Sequence, residues 1–224
     1  MARAAIFDVD GTLVDTNHLH VVSWWEAFRQ AGHDVATHAV HRAIGLPSED
    51  LIARLLGEDR DKDEDSQLSS AHTALYATYF ERLAPISGAA DLLRALDGRG
   101  WRVVLATSAS GAELGALRKA IDADDVIAGV ASADDVSSGK PAPDPVHRAL
   151  ELVGGDAGSS VFVGDTVWDM KAAANAGVRP VGVLAGGIPR GDLEAAGAAA
   201  IYDDPAALLA ALDDSPVAEL EREG

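Results

Sequence analysis

Cysteine is absent from the 224-residue chain. Without a thiol, the chain can form no disulfide, use no thiolate as a nucleophile, and offer no cysteine ligand to zinc or to an iron–sulfur cluster. The absence is compatible with a reducing compartment, and we expect the protein to be cytoplasmic.

Long apolar runs are missing as well. No stretch of about 18 apolar residues occurs, so the sequence predicts no membrane-spanning helix and no membrane partner. The first strand-like segment reaches Asp8 too soon to hold the apolar region of a signal peptide. Yet 48% of the residues are apolar, which is typical of a globular protein with a hydrophobic core. The length suits one large domain, or one domain that carries an insert.

Basic residues are scarce, with 18 Lys and Arg against 36 Asp and Glu and a net charge of −18. Such a surface repels the phosphate backbone, so we expect no nucleic-acid partner. A protein with this charge must neutralise a bound anion locally, with a metal ion or a well-placed lysine. Two acidic stretches, residues 58–65 and 213–224, predict a solvated loop or helix end and a frayed terminus.

Short apolar runs predict the strands of a parallel sheet. They are continuous rather than alternating, which indicates strands that are buried on both faces. Helical patterns lie between them, so the core is predicted to be α/β, with a Rossmann-like parallel sheet in three layers. The predicted strands are Ala4–Phe7, Val103–Ala106, Val126–Ala131, Val161–Val163 and Val181–Leu184.

Three core helices carry signals at their ends. Ser87 and Ser110 are expected to be N-cap residues, the second in a capping box with Glu113, and Gly177 is expected to end a helix in the left-handed conformation. The helices that they delimit are predicted over residues 88–97, 111–121 and 167–176.

One interval contains helical patterns and no convincing strand. It runs from Asp15 to about Pro85, with predicted helices over 17–31, 51–56 and 66–83. About 70 residues are too many for an ordinary crossover between two strands. The sequence therefore predicts an all-helical cap domain at residues 16–85, inserted into a core made of residues 1–15 and 86–224. A cap in this position would lie over the carboxyl end of the first strand, where ligands bind in open α/β sheets.

Pairs of carboxylates follow two of the predicted strands. Asp8 and Asp10 end the first strand, with Gly11 directly after them, and Asp165 and Asp169 follow a later one. Carboxylates this close resist joint ionisation unless a cation lies between them, and oxygen-rich surroundings suit Mg²⁺. Each pattern also has a structural explanation, since Asp-Gly is a common turn and an acid at a helix N-terminus complements the helix dipole.

A hydroxyl and a lysine follow two further strands. Thr107 and Ser108 precede a helix N-terminus, where free N–H groups can bind an anion, although helix capping alone explains them about as well. Lys140 lies in a loop stiffened by Gly139 and Pro141, which favours a placed charge over the usual solvated lysine. Because the carboxyl ends of parallel strands meet in one crevice, we expect all four groups to converge.

The content and order of these motifs resemble the haloacid dehalogenase superfamily. The motifs are FDVDGTLVDT at residues 7–16, GKP at 139–141 and GDTVWD at 164–169. Among members with a helical cap, the sequence is most similar to the phosphoglycolate phosphatase and β-phosphoglucomutase branch. The resemblance covers nearly the whole chain, from Ile6 to about Leu212.

The resemblance implies a phosphatase that depends on Mg²⁺ and forms an aspartyl phosphate on Asp8. Asp10 would act as general acid and base, Thr107 would hold the transferring phosphoryl group, and Lys140 would neutralise charge. The implied metal ligands are Asp8, the carbonyl of Asp10 and Asp165, with Asp169 assisting. Electrostatics independently supports the roles implied for Lys140 and Mg²⁺, because a carboxylate that attacks a phosphate needs nearby positive charge.

The partner is expected to be a small phosphorylated metabolite, selected largely by the cap. His20 would contact Asp10 or a substrate hydroxyl, although a structural role is the more common one for a histidine at the start of a helix. The candidate substrate-binding residues are Gly11, His20, Arg42, Gly45 and Ser108.

Two alternatives stay open at this stage. Sugar-phosphate mutases of this branch carry an arginine in the cap loop where this chain has Ser48, and a lysine–asparagine pair where it has Ser110 and Gly111. These differences favour a phosphatase over a mutase, unless Arg42 or Arg54 substitutes. A non-catalytic module that binds phosphometabolites is the other alternative, and the intact motif acids argue against it. A monomer and a homodimer are equally compatible with the sequence.

Overall fold

A six-stranded parallel sheet forms the centre of the computed structural model, which describes residues 2–223. The strands lie in the order β3-β2-β1-β4-β5-β6. Their bounds are β1 Ala4–Phe7, β2 Arg102–Ala106, β3 Ile127–Ala131, β4 Val161–Gly164, β5 Arg179–Val183 and β6 Ala200–Tyr202. From β1 the chain adds β2 and β3 on one side of the sheet, and then returns to add β4, β5 and β6 on the other side. At such a change of direction a crevice opens at the carboxyl ends of the neighbouring strands.

Helices cover both faces of this sheet, as the continuous apolar strands predicted. The helices are α1 Asn17–Gln30, α2 Thr37–His41, α3 Ser48–Leu56, α4 Asp65–Ala77, α5 Ala89–Gly98, α6 Gly111–Ile121, α7 Asp144–Val153, α8 Val167–Asn175, α9 Arg190–Ala195, α10 Pro205–Ala210 and α11 Pro216–Glu223. Within β1, Ala5 and Phe7 pack towards α5, α6, α10 and α11. Ala4 and Ile6 pack towards α7 and α8. None of the helices in residues 2–223 is long and apolar enough to cross a membrane.

The predicted helical insert is present between β1 and β2. Helices α1–α4 enclose a hydrophobic cluster of their own, which includes Trp24, Phe28 and Ile52. The chain leaves and re-enters the core along adjacent paths, since the N–H of Asp15 donates to Ala84 O (3.0 Å) and that of Ile86 to Leu13 O (2.8 Å). These paired segments support our proposal of cap boundaries near residues 16 and 85.

Several sequence predictions about local structure are wrong. Ser87 is not the N-cap of α5, because Gly88 takes that position with a φ of +76°, a left-handed conformation that glycine adopts at least cost. Ser110 is the N-cap residue of α6, as predicted, but its side chain forms no capping bond, so the predicted capping box with Glu113 is not formed. The helix predicted to reach residue 83 ends at Ala77 and is followed by a 3₁₀ turn at Phe80–Arg82.

The acidic C-terminal stretch is also ordered rather than frayed. Its residues Pro216–Glu223 form α11, in which Val217 and Leu220 are buried in the main core. The indole N–H of Trp101 donates to a carboxylate oxygen of Glu221 (2.8 Å). The apolar residues of this segment are spaced so that they pack on the core, and this packing holds the segment in place in spite of its negative charge. Strand β6 and the five-residue helix α2 were not predicted, because both are too short to leave a clear pattern.

We predict that Gly88→Ala lowers the free energy of unfolding by about 1–3 kcal/mol, through backbone strain and overpacking. A Cβ at this position would lie 2.6 Å from the Cα of Ala206 in α10. Urea denaturation measures the change. Gly98→Ala is the matched control in the same helix, because its Cβ would meet no atom within 4 Å, and it should be neutral or slightly stabilising. Equal stability of the two variants would contradict this packing argument.

Candidate active site

Four predicted site residues converge at the carboxyl edge of the sheet. Asp8 follows β1, Thr107 follows β2 and Asp165 follows β4, while Lys140 lies in the loop between β3 and α7. All four side chains are buried. The convergence that was expected of four separate strand ends is therefore present in the structure.

Lys140 joins the two pairs of carboxylates. Its ammonium contacts Asp8 Oδ1 and lies 2.7 Å from Asp169 Oδ1. Burial opposes its charge, but Asp169 and Asp8 outweigh that effect and raise the pKa of Lys140 above its usual value. The loop approaches the cap so closely that a Cβ on Gly139 would collide with Pro47. Lys140 is thus a placed charge and not a solvated lysine.

The second pair of carboxylates is held by neutral donors. Thr12 Oγ1 donates to Asp165 Oδ1 (2.9 Å), and Asn17 Nδ2 donates to Asp165 Oδ2 (2.7 Å). Asp169 forms a capping box with Thr166, whose hydroxyl lies 2.6 Å from Asp169 Oδ2. The structural explanation for Asp169 is therefore correct, and its other oxygen still faces Lys140.

An oxygen-only metal site fits this arrangement. One carboxylate oxygen from each of Asp8, Asp165 and Asp169 lies within 4.8 Å of the others. Burial, opposed by Lys140 and reinforced by Asp169 and Asp10, raises the pKa of Asp8 to about 7. Burial and the neighbouring Asp8 and Asp169 also raise the pKa of Asp165. Three buried carboxylates against one ammonium carry excess negative charge, which a hard divalent cation such as Mg²⁺ would balance.

Asp10 points away from this cluster, towards the cap. Its Oδ1 accepts a hydrogen bond from Thr16 Oγ1 (2.7 Å) and lies 3.2 Å from His20 Nε2. Burial alone would raise the pKa of Asp10, but the hydrogen bonds from His20 and Thr16 lower it. For His20, burial acts to lower the pKa, but Asp10 and Glu113 raise it. The sequence left open whether His20 contacts Asp10 or a substrate hydroxyl, and the structure shows the contact with Asp10.

His20 is itself held by a stack of aromatic rings in the cap. Its Nδ1 lies 3.1 Å from His72 Nε2, and the ring of His72 stacks on Trp24 with centroids 4.2 Å apart. Burial and the nearby His20 lower the pKa of His72 to about 3. The Nε2 of a neutral His72 can accept a hydrogen bond from the Nδ1–H of His20, which leaves His20 Nε2 to face Asp10.

Glu113 is a site residue that sequence reasoning missed. Its Oε1 lies 3.8 Å from His20 Nε2, and burial, with Asp10 adding and His20 opposing, raises the pKa of Glu113 to about 7. The sequence assigned this glutamate to a capping box. The available signal was its place in the first turn of the helix that follows Thr107, the predicted phosphoryl-binding hydroxyl.

A cavity of about 710 Å³ lies between the cap and the edge of the sheet. Of the predicted catalytic residues, Asp8, Asp10, Thr107 and Lys140 line it. Of the predicted substrate-binding residues, His20, Gly45 and Ser108 do so. The hydroxyl of Thr107 also accepts a bond from the N–H of Ala109 (3.0 Å), in the turn before α6. Thr107 does not cap that helix, because the N-cap position is Ser110.

Two predicted substrate-binding residues do not line the cavity. Arg42 is exposed, and its guanidinium donates to Asp192 Oδ2 (2.6 Å), so an ion pair with the core directs it elsewhere. Gly11 has a φ of +74° and packs against Asn17, where a Cβ would collide. It makes the turn after β1. The structure therefore lends no support to a substrate-binding role for Gly11 or Arg42.

Comparison with known proteins places the chain in a family. Residues 2–177 match the haloacid dehalogenase-like hydrolases. A phosphoglycolate phosphatase from Rhodospirillum rubrum is 33% identical, over 93% of this chain and 90% of the relative. A crystal structure of a hydrolase from Pseudomonas syringae is 34% identical, with a TM-score of 0.89 over 95% of this chain and 98% of that one.

A β-phosphoglucomutase from Clostridium difficile shares the fold. Its TM-score is 0.79 at 18% identity, with 92% of each chain covered. The resemblance found in the motifs is thereby confirmed, together with the α/β fold. The chain belongs to the haloacid dehalogenase-like hydrolases.

Proposed function

We propose that the protein is a Mg²⁺-dependent phosphatase that hydrolyses a small phosphorylated metabolite through an aspartyl phosphate on Asp8. The observation that carries the proposal is the contact of one buried lysine with Asp8 and Asp169, at the floor of the cavity. The broader conclusion, a phosphatase of this family, also draws on relatives such as the phosphoglycolate phosphatase of R. rubrum.

In the first step, a carboxylate oxygen of Asp8 attacks phosphorus and the ester oxygen leaves as the alcohol. Lys140 reduces the repulsion between Asp8 and the phosphate, while Thr107 and Ser108 offer donors to the phosphoryl oxygens. Mg²⁺, held by Asp8, Asp165, the carbonyl of Asp10 and Asp169, would supply further neutralisation of charge.

Asp10 handles the proton in both steps. The proton shared between Asp10 and His20, 3.2 Å apart, passes through Asp10 to the leaving oxygen. In the second step, Asp10 takes a proton from the water that attacks the aspartyl phosphate. A halide would leave without an acid, so the presence of Asp10 favours phosphate esters over haloacids.

The two alternatives fit the structure less well. A mutase must bind a second phosphate, but Arg42 pairs with Asp192, and the guanidinium of Arg54 lies 5.1 Å from the ring centre of Trp168. Neither residue lines the cavity. A non-catalytic module would have no need of Asp10 beside its phosphate site.

We predict that Asp8→Asn abolishes turnover of p-nitrophenyl phosphate in the presence of Mg²⁺, because an amide is a far weaker nucleophile than a carboxylate. Phosphate release measures the effect, and circular dichroism checks the fold. Asp15→Asn is the matched control, since Asp15 belongs to the same motif but is exposed. Comparable turnover in Asp8→Asn would refute the nucleophile assignment.

We predict that Asp10→Asn slows hydrolysis of alkyl phosphates by about 10²–10⁴-fold, because both chemical steps lose their proton carrier. With p-nitrophenyl phosphate, whose leaving group needs no acid, the first step should stay fast and the second should slow. Rapid-quench kinetics should then show a burst of nitrophenolate. A burst of the same size with an alkyl phosphate, or an unchanged steady rate, would assign the proton transfer to another group.

We predict that Asp8→Asn raises the melting temperature of the metal-free protein at pH 8 by about 5 °C, which corresponds to roughly 2 kcal/mol in a chain of this size. The raised pKa of Asp8, about 7, means that the folded state binds a proton more tightly than the unfolded state does. This stabilisation is full below about pH 4 and is lost as the pH rises through 7.

The gain should therefore be smaller at pH 5 than at pH 8, and Mg²⁺ should stabilise the wild type more than Asp8→Asn. Thermal unfolding in EDTA and in Mg²⁺ measures both effects. Asp34→Asn is the control, because that side chain is 97% exposed. An equal gain at both pH values would show that Asp8 is not destabilised by its charge.

A further inference from the structure

Away from Asp8, the walls of the cavity are largely apolar. They come from the cap and from the loop after β3, so the alcohol part of a bound ester would lie against hydrocarbon and aromatic rings. The residues concerned are Trp24, Ile44, Leu46, Leu51, Phe80 and Val136.

No spare cation lines this part of the cavity within residues 2–223. The basic residues in the lining are Lys140, His20 and His72. Lys140 is already paired with Asp8 and Asp169. His20 lies between Asp10 (3.2 Å) and Glu113 (3.8 Å), and His72, with a pKa of about 3, is neutral.

Glu113 lies in the part of the cavity that would face the alcohol group of a bound ester. A second anionic group on the substrate would need a cation there, and the side chain present is an acid. Glu113 lines the cavity, its side chain is 23% exposed, and its Oε1 lies near both Asp10 and His20. Within the described part of the chain, its carboxylate makes no hydrogen bond, and its ionic contact is with His20 at 3.8 Å. A carboxylate or second phosphate on the substrate would meet Glu113 and Asp10 in a half-buried site, where repulsion is poorly screened.

We propose that the substrate is a monophosphate ester whose alcohol is uncharged or cationic, and that Glu113 is the specificity-determining residue that rejects alcohols with a second anionic group. The inference rests on the proposed phosphatase function and narrows its substrate class. The chain would then differ in substrate from a phosphoglycolate phosphatase, although it shares the motifs of that enzyme's family.

Three esters of nearly equal size test the charge preference. They are 2-phosphoglycolate, 2-hydroxyethyl phosphate and O-phosphoethanolamine, with an anionic, a neutral and a cationic end. We expect kcat/KM at pH 8 with Mg²⁺ to be at least about tenfold lower for 2-phosphoglycolate than for the other two. An equal or higher value for 2-phosphoglycolate would overturn the proposal.

Glu113→Gln tests the assignment to one residue. The variant should raise the ratio of kcat/KM for 2-phosphoglycolate over 2-hydroxyethyl phosphate by about five- to tenfold, because one charge is removed beside the leaving group. Glu151→Gln removes the same charge from an exposed position outside the cavity, and it should leave the ratio unchanged. An unchanged ratio in Glu113→Gln would overturn the role of Glu113.

Turnover of p-nitrophenyl phosphate distinguishes a failure of the substrate class from a failure of the phosphatase function. If that ester is hydrolysed but the neutral and cationic esters are not preferred, the substrate class alone is wrong. If none of the four esters is hydrolysed in the presence of Mg²⁺, the phosphatase function fails, and the substrate class fails with it.

Discussion

Negative charge gathered at the carboxyl edge of the sheet is the constraint on which the rest of the site depends. Asp8, Asp165 and Asp169 are buried within a few ångströms of one another, in a protein whose net charge is already −18. Burying unpaired carboxylates is costly, so they persist only with matched cations and donors. Lys140 supplies one such charge, and the remaining negative excess suits the site to a divalent cation, which would in turn offset the charge of a bound phosphate.

The surrounding structure serves to hold that charge in place. Thr12 and Asn17 fix Asp165, and Thr166 fixes Asp169, while the turn at Gly11 brings Thr12 and Asn17 within reach. Asp10 is separated from this group by its own bonds to Thr16 and His20. Under the proposed mechanism, this separation would give the two carboxylates of one short motif different tasks. Asp8, beside Lys140, would be the nucleophile, and Asp10, beside His20, would carry the proton.

The fold and the floor of the site could be predicted because their signals are local. Continuous apolar strands that end in Asp8, Thr107 and Asp165 place those groups at one edge whatever the loops do. The cap side of the site was less predictable. Arg42 is close in sequence to Gly45, which lines the cavity, but its ion-pair partner Asp192 is 150 residues away along the chain. Glu113 cannot be distinguished by sequence alone from an acid that caps a helix. Long-range ion pairs and the direction of a side chain in the first turn of a helix leave no local pattern.

The central claim, a covalent bond between Asp8 and phosphate, can be tested directly by chemical trapping. Asp10→Asn would be mixed with p-nitrophenyl phosphate and Mg²⁺, quenched with acid, and reduced with borohydride, which converts an acyl phosphate into the alcohol. Peptide mass spectrometry should then find homoserine at residue 8 and unmodified aspartate at residues 165 and 169. An unmodified Asp8, in a sample that has released a burst of nitrophenolate, would contradict the account.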